Sequence, residues 1–460
     1  AGARPTIDPQ RLHEYLLFQY IPAPHAIYRD YHKVPPGHWL EITPAGVGAP
    51  RAWWHLPQPP EFAGSYADAR ARLGELLTAA VERRLVADVP LGAFLSGGID
   101  SSIVVGLMRR LGVNPLRTFS IGFPDARYDE TAYARQVARH FGTEHHEHIV
   151  TPAAAEVLDT LAWHYDEPFA DSSAIPTYHV SKWTRQHVTV ALTGDAGDEC
   201  FGGYDRYRAV ALAARADIAP RLVRQGVARA AAWLPRGRAK SLGNRAYRFL
   251  SAVGRPPARR YLAWVNVFTP DLLDEGYRAE FRARIDPAAP LRWFEGLYGA
   301  QPPPAAERAI RTDFLSYLPY DLLTKVDIAS MACSLECRAP LLDHTVVEFA
   351  LSLPLEWRLG RRGGKQILRD WAADLLPAEV LSRGKMGFGV PVGEWFRGEL
   401  RGLLRERVLA PDGLVAQLFD RAWLERFVAE HLSGHCNHEH PLWALLMLER
   451  WYRRWHPALG

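Results

Sequence analysis

The sequence predicts an α/β protein in which a parallel sheet covered by helices is followed by a large, mostly helical carboxy-terminal half. Three observations carry this expectation. Between Leu91 and Thr193 short apolar runs alternate with amphipathic ones, the rhythm of a parallel sheet whose ligands bind at the carboxyl ends of its strands. A glycine- and serine-rich loop, Ser96 to Ser102, stands at a strand-to-helix junction within that region. Past Tyr207 the chain becomes rich in Ala, Arg and Leu and loses its strand signals,.

At 460 residues the chain exceeds what one core usually serves, and 48% hydrophobic residues are ample to fill more than one,. From Leu12 to Leu56, strand-like pieces such as His38 to Ile42 mix with turns such as Pro35-Pro36-Gly37, and Pro57-Gln58-Pro59-Pro60 reads as a linker,. Tyr66 to Val86 takes a helical period, with Leu73, Leu76, Leu77 and Ala80 on one face,. Leu91 to Leu95 then reads as a strand, Ser102 to Leu111 as a helix and Leu116 to Phe123 as a strand. Tyr133, Val137 and Phe141 mark a helix, His146 to Val150 a strand, Ile175 to Trp183 a helix and Val188 to Thr193 a last strand,.

The 55 Lys plus Arg against 51 Asp plus Glu leave +4 with His neutral, too weak a bias to argue for a nucleic-acid partner,. Between Asp217 and Asp271 there is no acidic residue, but Arg236, Arg238, Arg255, Arg259 and Arg260 occur. A docking surface for an anion is one reading; solvated helix faces are favoured, because long cations commonly cover helix surfaces. Cys200, Cys333, Cys337 and Cys436 make no disulfide framework in so long a chain, and the start does not resemble a signal segment. A reducing, cytoplasmic setting is therefore expected. No apolar run approaches the ~20 residues of a spanning helix, so no membrane partner is expected.

In the loop Leu95-Ser96-Gly97-Gly98-Ile99-Asp100-Ser101-Ser102, two glycines let the backbone approach a ligand. Loop N–H groups and the helix N-terminus offer partial positive charge to an anion. Ser96, Ser101 and Ser102 add hydroxyl donors, so a diphosphate fits. No Gly-x4-Gly-Lys-Ser/Thr run is present, which argues against the loop geometry used for attack at a γ-phosphate. Asp100 would repel phosphate unless magnesium lay between them. A second strand end, Thr193 to Tyr204, crowds Asp195, Asp198 and Glu199 together, and such crowding needs cations or protons to offset it. The plainer alternatives are a serine-capped glycine turn and an adventitious calcium loop.

The run Ser96 to Ser102 resembles the pyrophosphate loop of N-type ATP pyrophosphatases, a superfamily that includes asparagine, GMP, NAD and argininosuccinate synthetases. Four further segments, in family order, resemble asparagine synthetases: Asp166 to Ser173, Leu192 to Tyr204, Leu335 to Asp343 and Ser382 to Gly389. The likeness covers nearly the whole chain from about Ser65, and in texture it is similar to bacterial homologues found with exopolysaccharide and exosortase systems. It implies an ATP- and Mg2+-dependent synthetase that activates a small-molecule carboxylate as its adenylate, releases pyrophosphate and transfers ammonia. It also implies a division into the end of an Ntn glutaminase domain (1–57), an ATP pyrophosphatase core (58–207), a helical insert (208–310) and a helical part completing the site (311–460).

By the same resemblance, Ser96, Gly97, Gly98, Ser101 and Ser102 would bind pyrophosphate, and Leu95, Ile121, Thr193 and Gly194 would frame the adenosine. Asp100 and Asp198 would hold magnesium. Asp195 stands where the family has a proton-accepting carboxylate, and Lys385 where it has a lysine acting at the α-phosphate. Glu336, as an orienting group, and Asp343 are weaker candidates.

Two departures follow. Asparagine-forming members usually carry Glu at the position of Asp195, and one methylene fewer pulls a base back by ~1.5 Å; this puts aspartate as acceptor in question. Full-length relatives begin with a glutaminase domain whose N-terminal Cys releases ammonia from glutamine. Here no cysteine precedes Cys200, and Tyr15 to Ile42 resembles only the closing portion. The chain as given is not expected to hydrolyse glutamine, so ammonia would come free, from a glutaminase partner or from an upstream segment. A homodimer is left open. An adenylating enzyme with another amine nucleophile, closing a lactam or macrocycle, is the alternative activity. A non-catalytic nucleotide-binding scaffold is a third reading, against which Asp100, Asp198 and Lys385 argue.

Other features carry less. Alternation points His145, His146 and His148 to different faces of a strand, against a shared metal. Cys333 and Cys337, four apart on an expected helix, lack a companion pair. Trp443, Trp451, Tyr452 and Trp455 read as a helix packing face.

Overall fold

A computed structural model describes residues 5–58, 62–125, 127–150, 154–233, 242–360, 363–384 and 389–459. Its centre is a five-stranded, wholly parallel sheet. The strand order is Glu336–Arg338, Val190–Leu192, Leu91–Phe94, Arg117–Gly122 and Glu144–Ile149. From Leu91–Phe94 the chain moves first to one side, through Arg117–Gly122, and later returns to the other, where Leu91 pairs with Val190. That reversal splits the crossover connections and opens a crevice at the carboxyl ends of these strands.

The four expected strands fall within a few residues of the observed ones. The fifth, Glu336–Arg338, was not anticipated, since its three residues pair with a strand more than a hundred positions earlier. The helices flanking the sheet follow the apolar spacing. In Thr131–Phe141, Ala134, Val137, Ala138 and Phe141 are buried, and the helix ends at Gly142 with φ of 61°, where a side chain would be strained,. In Tyr66–Arg84, Leu73, Leu77 and Ala80 are buried. Ser65 and Asp68 close a reciprocal capping box there, with Ser65 Oγ accepting from Asp68 N at 3.2 Å and Asp68 accepting from Ser65 N at 2.9 Å. Replacing Ser65 by Ala would cost about 1 kcal/mol.

The carboxy-terminal half is helical. Its 17-residue helix Glu439–Trp455 buries Trp443, Leu445, Leu446, Leu448 and Trp451, which bears out the packing-face reading. Each such side chain contributes about 1.5–3 kcal/mol, and Leu445→Ala would cost about 2–5 kcal/mol because the surroundings cannot fully collapse. The amino-terminal helix Pro9–Phe18 joins the same core: Tyr15 Oη donates to Ala444 O at 2.8 Å, and Thr6–Ile7 pairs in parallel with Ala458–Leu459.

Within the basic stretch, Arg260 is buried against Asp217 at 2.6 Å, while Arg255 and Arg259 pair with Asp271 and Glu295; Arg236 and Arg238 lie outside the described residues. His145 bonds Thr118, whereas His146 stacks on Phe119 and His148 on Trp183, the divided faces expected. Cys333 and Cys337 do not share a helix: the helix ends at Met331 and Cys337 lies on the fifth strand. No helix among the described residues is long and apolar enough to cross a membrane.

Candidate active site

The crevice at the strand reversal is a cleft of about 1250 Å³. Pockets for one drug-sized ligand run to ~300–1,000 Å³, so this one has room for a nucleotide and a second substrate. Leu95, Ser96, Gly98, Ile99, Asp100 and Ser101 line it along one edge. Gly98 begins the helix Ile99–Arg110 without a side-chain cap, which leaves the N–H groups of the first turn to water or an anion. Ser96 Oγ lies 3.1 Å from Ser101 Oγ and accepts from Gly98 N at 3.2 Å, so the two hydroxyls brace the turn they decorate.

The two loop glycines do different work. Gly97 has φ of 70°, and a Cβ there would come within 2.5 Å of the Tyr133 backbone. It lets the loop turn against the helix Thr131–Phe141, and it is absent from the cleft lining. Ser102 is also absent from that lining and is wholly buried. Gly97 and Ser102 thus pack behind the part of the loop that lines the cleft.

Leu95, Ile121, Thr193 and Gly194 all line the cleft, together with Phe94, Phe119 and Val180, which make part of it apolar. A Cβ on Gly194 would lie 2.7 Å from Ser101 N, so this glycine allows the two strand-end loops to touch. Beyond it, Asp195 accepts from Thr193 Oγ1 at 2.6 Å. Burial raises the Asp195 carboxyl above the ordinary aspartate value, with the Thr193 hydroxyl and the Lys325 charge opposing.

Asp100 and Asp198 converge on one cation that the sequence reading missed. Lys365 Nζ contacts Asp100 Oδ2 and lies 2.6 Å from Asp198 Oδ1. Burial alone would lower this ammonium's pKa, but the two carboxylates raise it above the usual lysine value. Lys365 has φ of 64° at the start of the helix Gln366–Ala372, and its N–H donates to Phe201 O at 2.8 Å. A Cβ on Gly203 would collide with both Asp198 and the Lys365 stem. Two carboxylates whose hard oxygens gather at the cleft wall suit a magnesium ion,. Asp100 and Asp198 are the residues that would hold it.

A second buried set lines the cleft at Asp171, Ser172, Ser173 and Lys325. Lys325 Nζ donates to Asp171 Oδ2 at 2.9 Å and to Ser173 Oγ at 2.8 Å. Asp321, fully buried behind them, accepts from Gln19 Nε2 at 2.6 Å. Burial would raise the Asp171 carboxyl, but Lys325 brings it below the usual range; Asp321 is pushed well above it by burial and by the Asp171 charge. The cluster therefore sets an ion pair beside a carboxyl whose charged form burial disfavours. Leu318–Leu323 takes π-helical turns here, a geometry frequent at functional sites.

Three expected residues are not in this picture. Lys385 lies outside the described residues. Glu336 is absent from the lining; it sits at the amino end of the fifth strand, opposite Val190, with its side chain about half exposed and bonded to Arg338 at 2.7 Å. Asp343 instead caps the helix His344–Ser352 and binds Arg83 and Arg84, each at 2.8 Å. Arg383, from the same segment as Lys385, does reach the loop: it donates to Ser96 O at 3.2 Å, pairs with Glu130 and stacks 4.0 Å from the Tyr133 ring centroid.

Residues 72–453 match the family model described as asparagine synthase. "Asparagine synthetase [glutamine-hydrolyzing] 1" of Bacillus subtilis (strain 168) is 28% identical over 97% of this chain and 69% of its own length. "Putative asparagine synthetase [glutamine-hydrolyzing]" of Mycobacterium bovis (strain ATCC BAA-935 / AF2122/97) is 32% identical over 97% of this chain and 67% of its own length. "Amidase chyE" of Penicillium rubens is 26% identical over 83% of this chain and 62% of its own.

Proposed function

Because the chain belongs to the asparagine synthase family, whose members are ligases that form carbon–nitrogen bonds, we propose that it adenylates a small carboxylic acid with ATP and passes ammonia to the acyl adenylate. The observation that carries this reading is the convergence of the Ser96–Ser101 turn, Asp100, Asp198 and Lys365 at neighbouring strand ends in one cleft.

A carboxylate oxygen attacks the α-phosphorus and pyrophosphate leaves. Two anions meet in that step, so fixed positive charge must offset them. Lys365 supplies part of it, and the helix N-terminus behind Gly98 supplies more. Mg2+ on Asp100 and Asp198, when bound, would neutralise phosphate charge. Lys385 is the second lysine in this reading. Ammonia then attacks the acyl carbon, AMP leaves, and Asp195 accepts the extra proton; its raised pKa suits a base. Asp171, Ser172, Ser173 and Lys325 form the acceptor side, where the Lys325 ammonium faces the acid's anionic or polar groups. The same reading treats 1–57 as the end of a glutaminase domain, 58–207 as the nucleotide core, 208–310 as an insert and 311–460 as the completing part, with the nitrogen delivered as ammonia.

Incubation with Mg·ATP, ammonium and a panel of carboxylates that includes aspartate tests it. AMP and pyrophosphate that appear only with an acceptor, and are lost in Asp100→Ala, support the reading. Formation of ADP instead would overturn it.

A further inference from the structure

Outside the described chemistry, the end of the helix Arg421–Leu432 and the loop after it gather three unlike donors. Glu430, Cys436 and His438 each offer one ligand atom, and these atoms lie within 4.8 Å of one another. His438 Nε2 is 3.0 Å from Glu430 Oε2. Zinc bonds of ~2.0–2.3 Å set tetrahedral ligands roughly 3.3–3.8 Å apart, so small side-chain rotations would complete the geometry.

The main chain already holds the donors. Gly434 turns the chain with φ of 78°, Cys436 N donates to Glu430 O at 3.2 Å, and His438 N donates to His431 Nδ1 at 3.1 Å. The His438 ring stacks on Phe427 with centroids 3.9 Å apart, which fixes its plane. Cys436 and His438 are half-buried, and the exposed His435 flanks them.

We propose that Glu430, Cys436 and His438 form a zinc site, completed by water or His435, that ties the end of one helix to the start of the next. Thiolate, imidazole and carboxylate together select a borderline-soft cation over magnesium, so this site does not compete for the ion that suits Asp100 and Asp198. Its position gives it a consequence. Glu439 and His440, the next residues, begin the helix Glu439–Trp455 and line the cleft, so the clamp fixes part of the cleft rim. The inference stands independently of the reaction proposed above.

The test uses the whole chain after treatment with a chelator. Dialysis against Zn2+ and then metal-free buffer should leave one zinc per chain and a raised Tm. Co2+ in its place should give thiolate-to-cobalt charge-transfer absorption. Cys436→Ser should abolish that absorption, and His438→Ala should weaken metal binding by at least the ~10–100-fold that even outer partners of a ligand command, with circular dichroism confirming that both variants fold. Asp100→Ala should leave the site intact. Failure to retain zinc, or absorption unchanged in Cys436→Ser, overturns the proposal.

Discussion

Lys365→Met removes the ammonium between Asp100 and Asp198 while keeping the length of the side chain and the backbone strain of a residue at φ of 64°. Both carboxylates touch the same nitrogen, so their facing oxygens are no more than about 5 Å apart, and at an effective dielectric constant of ~20 their repulsion is about 3 kcal/mol. The Lys365 side chain is 9% exposed and those of its partners 18% and 21%, so solvent screens little of this. Two results should follow. The free protein should lose up to about 3 kcal/mol, the scale of a broken buried pair, and added Mg2+ should restore more stability to the variant than to the parent, because the ion takes over the same carboxylates. Acceptor-dependent pyrophosphate release should fall in kcat by ~10²–10³-fold, the usual loss when one group facing transition-state charge is removed. Thermal unfolding with and without Mg2+, followed by steady-state pyrophosphate release, measures both. An unchanged kcat together with a lowered Tm would make Lys365 a structural bridge and refute its part in catalysis.

Asp195→Asn should keep acceptor-dependent ATP–pyrophosphate exchange and lose amide formation, since only the second step needs the base; loss of both would place Asp195 in adenylation. In the parent, amide formation should rise with pH through a pKa above the ordinary aspartate value, because burial raises the Asp195 carboxyl. Gly203→Ala should inactivate the enzyme with little change in circular dichroism, because the new methyl would push Asp198 and Lys365 apart; normal activity would show that this loop can yield. Glu449 is fully buried, accepts from Val415 N at 2.5 Å and has its pKa raised by burial from 4.5 to about 7. The native state therefore holds its proton after the unfolded state has released it, so stability falls as pH rises from about 4.5 to 7. The full loss is about 3 kcal/mol. Glu449→Gln should recover most of it at pH 8 and nothing at pH 4, as measured by urea unfolding; an equal effect at both would show that the carboxyl does not titrate in this range.

The edge of the cleft assigned to the nucleotide under the proposed function was legible because its parts are local. Ser96, Gly98, Asp100 and Ser101 occupy one turn, and Asp195 with Asp198 another, so residue type and spacing were enough. Gly97 and Ser102 belong to the same motif, and what the sequence does not show is that both pack against what lies behind it. Three of the sheet's strands were legible from apolar runs and Glu144–Ile149 from its place in the strand-and-helix rhythm, whereas Glu336–Arg338 has charged ends that carry no strand pattern, and its membership of the sheet depends on Val190–Leu192. That pairing is also what removes Glu336 from the cleft, since parallel register puts it at the strand's amino end.

Lys365 was hidden for the opposite reason. Nothing beside it in the sequence is acidic, and its two partners lie 167 and 265 positions away, so its role exists only after three loops have met. Asp171, Gln19 and the Asp321–Lys325 turn are the same case, drawn from three separate segments. This division has a physical cause. Binding phosphate requires backbone N–H groups and small residues in one tight turn, which a short motif must encode. Recognising an acceptor requires side chains spaced across the ligand, which only tertiary folding supplies. Variants at Lys325 and Ser173 should therefore change which carboxylate supports AMP formation while leaving KM for ATP nearly unaltered, and variants in the Ser96–Ser101 turn should do the reverse. A panel of acceptors assayed at saturating ATP separates the two; equal effects of both sets on KM for ATP would mean that the Asp171–Lys325 pair belongs to the nucleotide side after all.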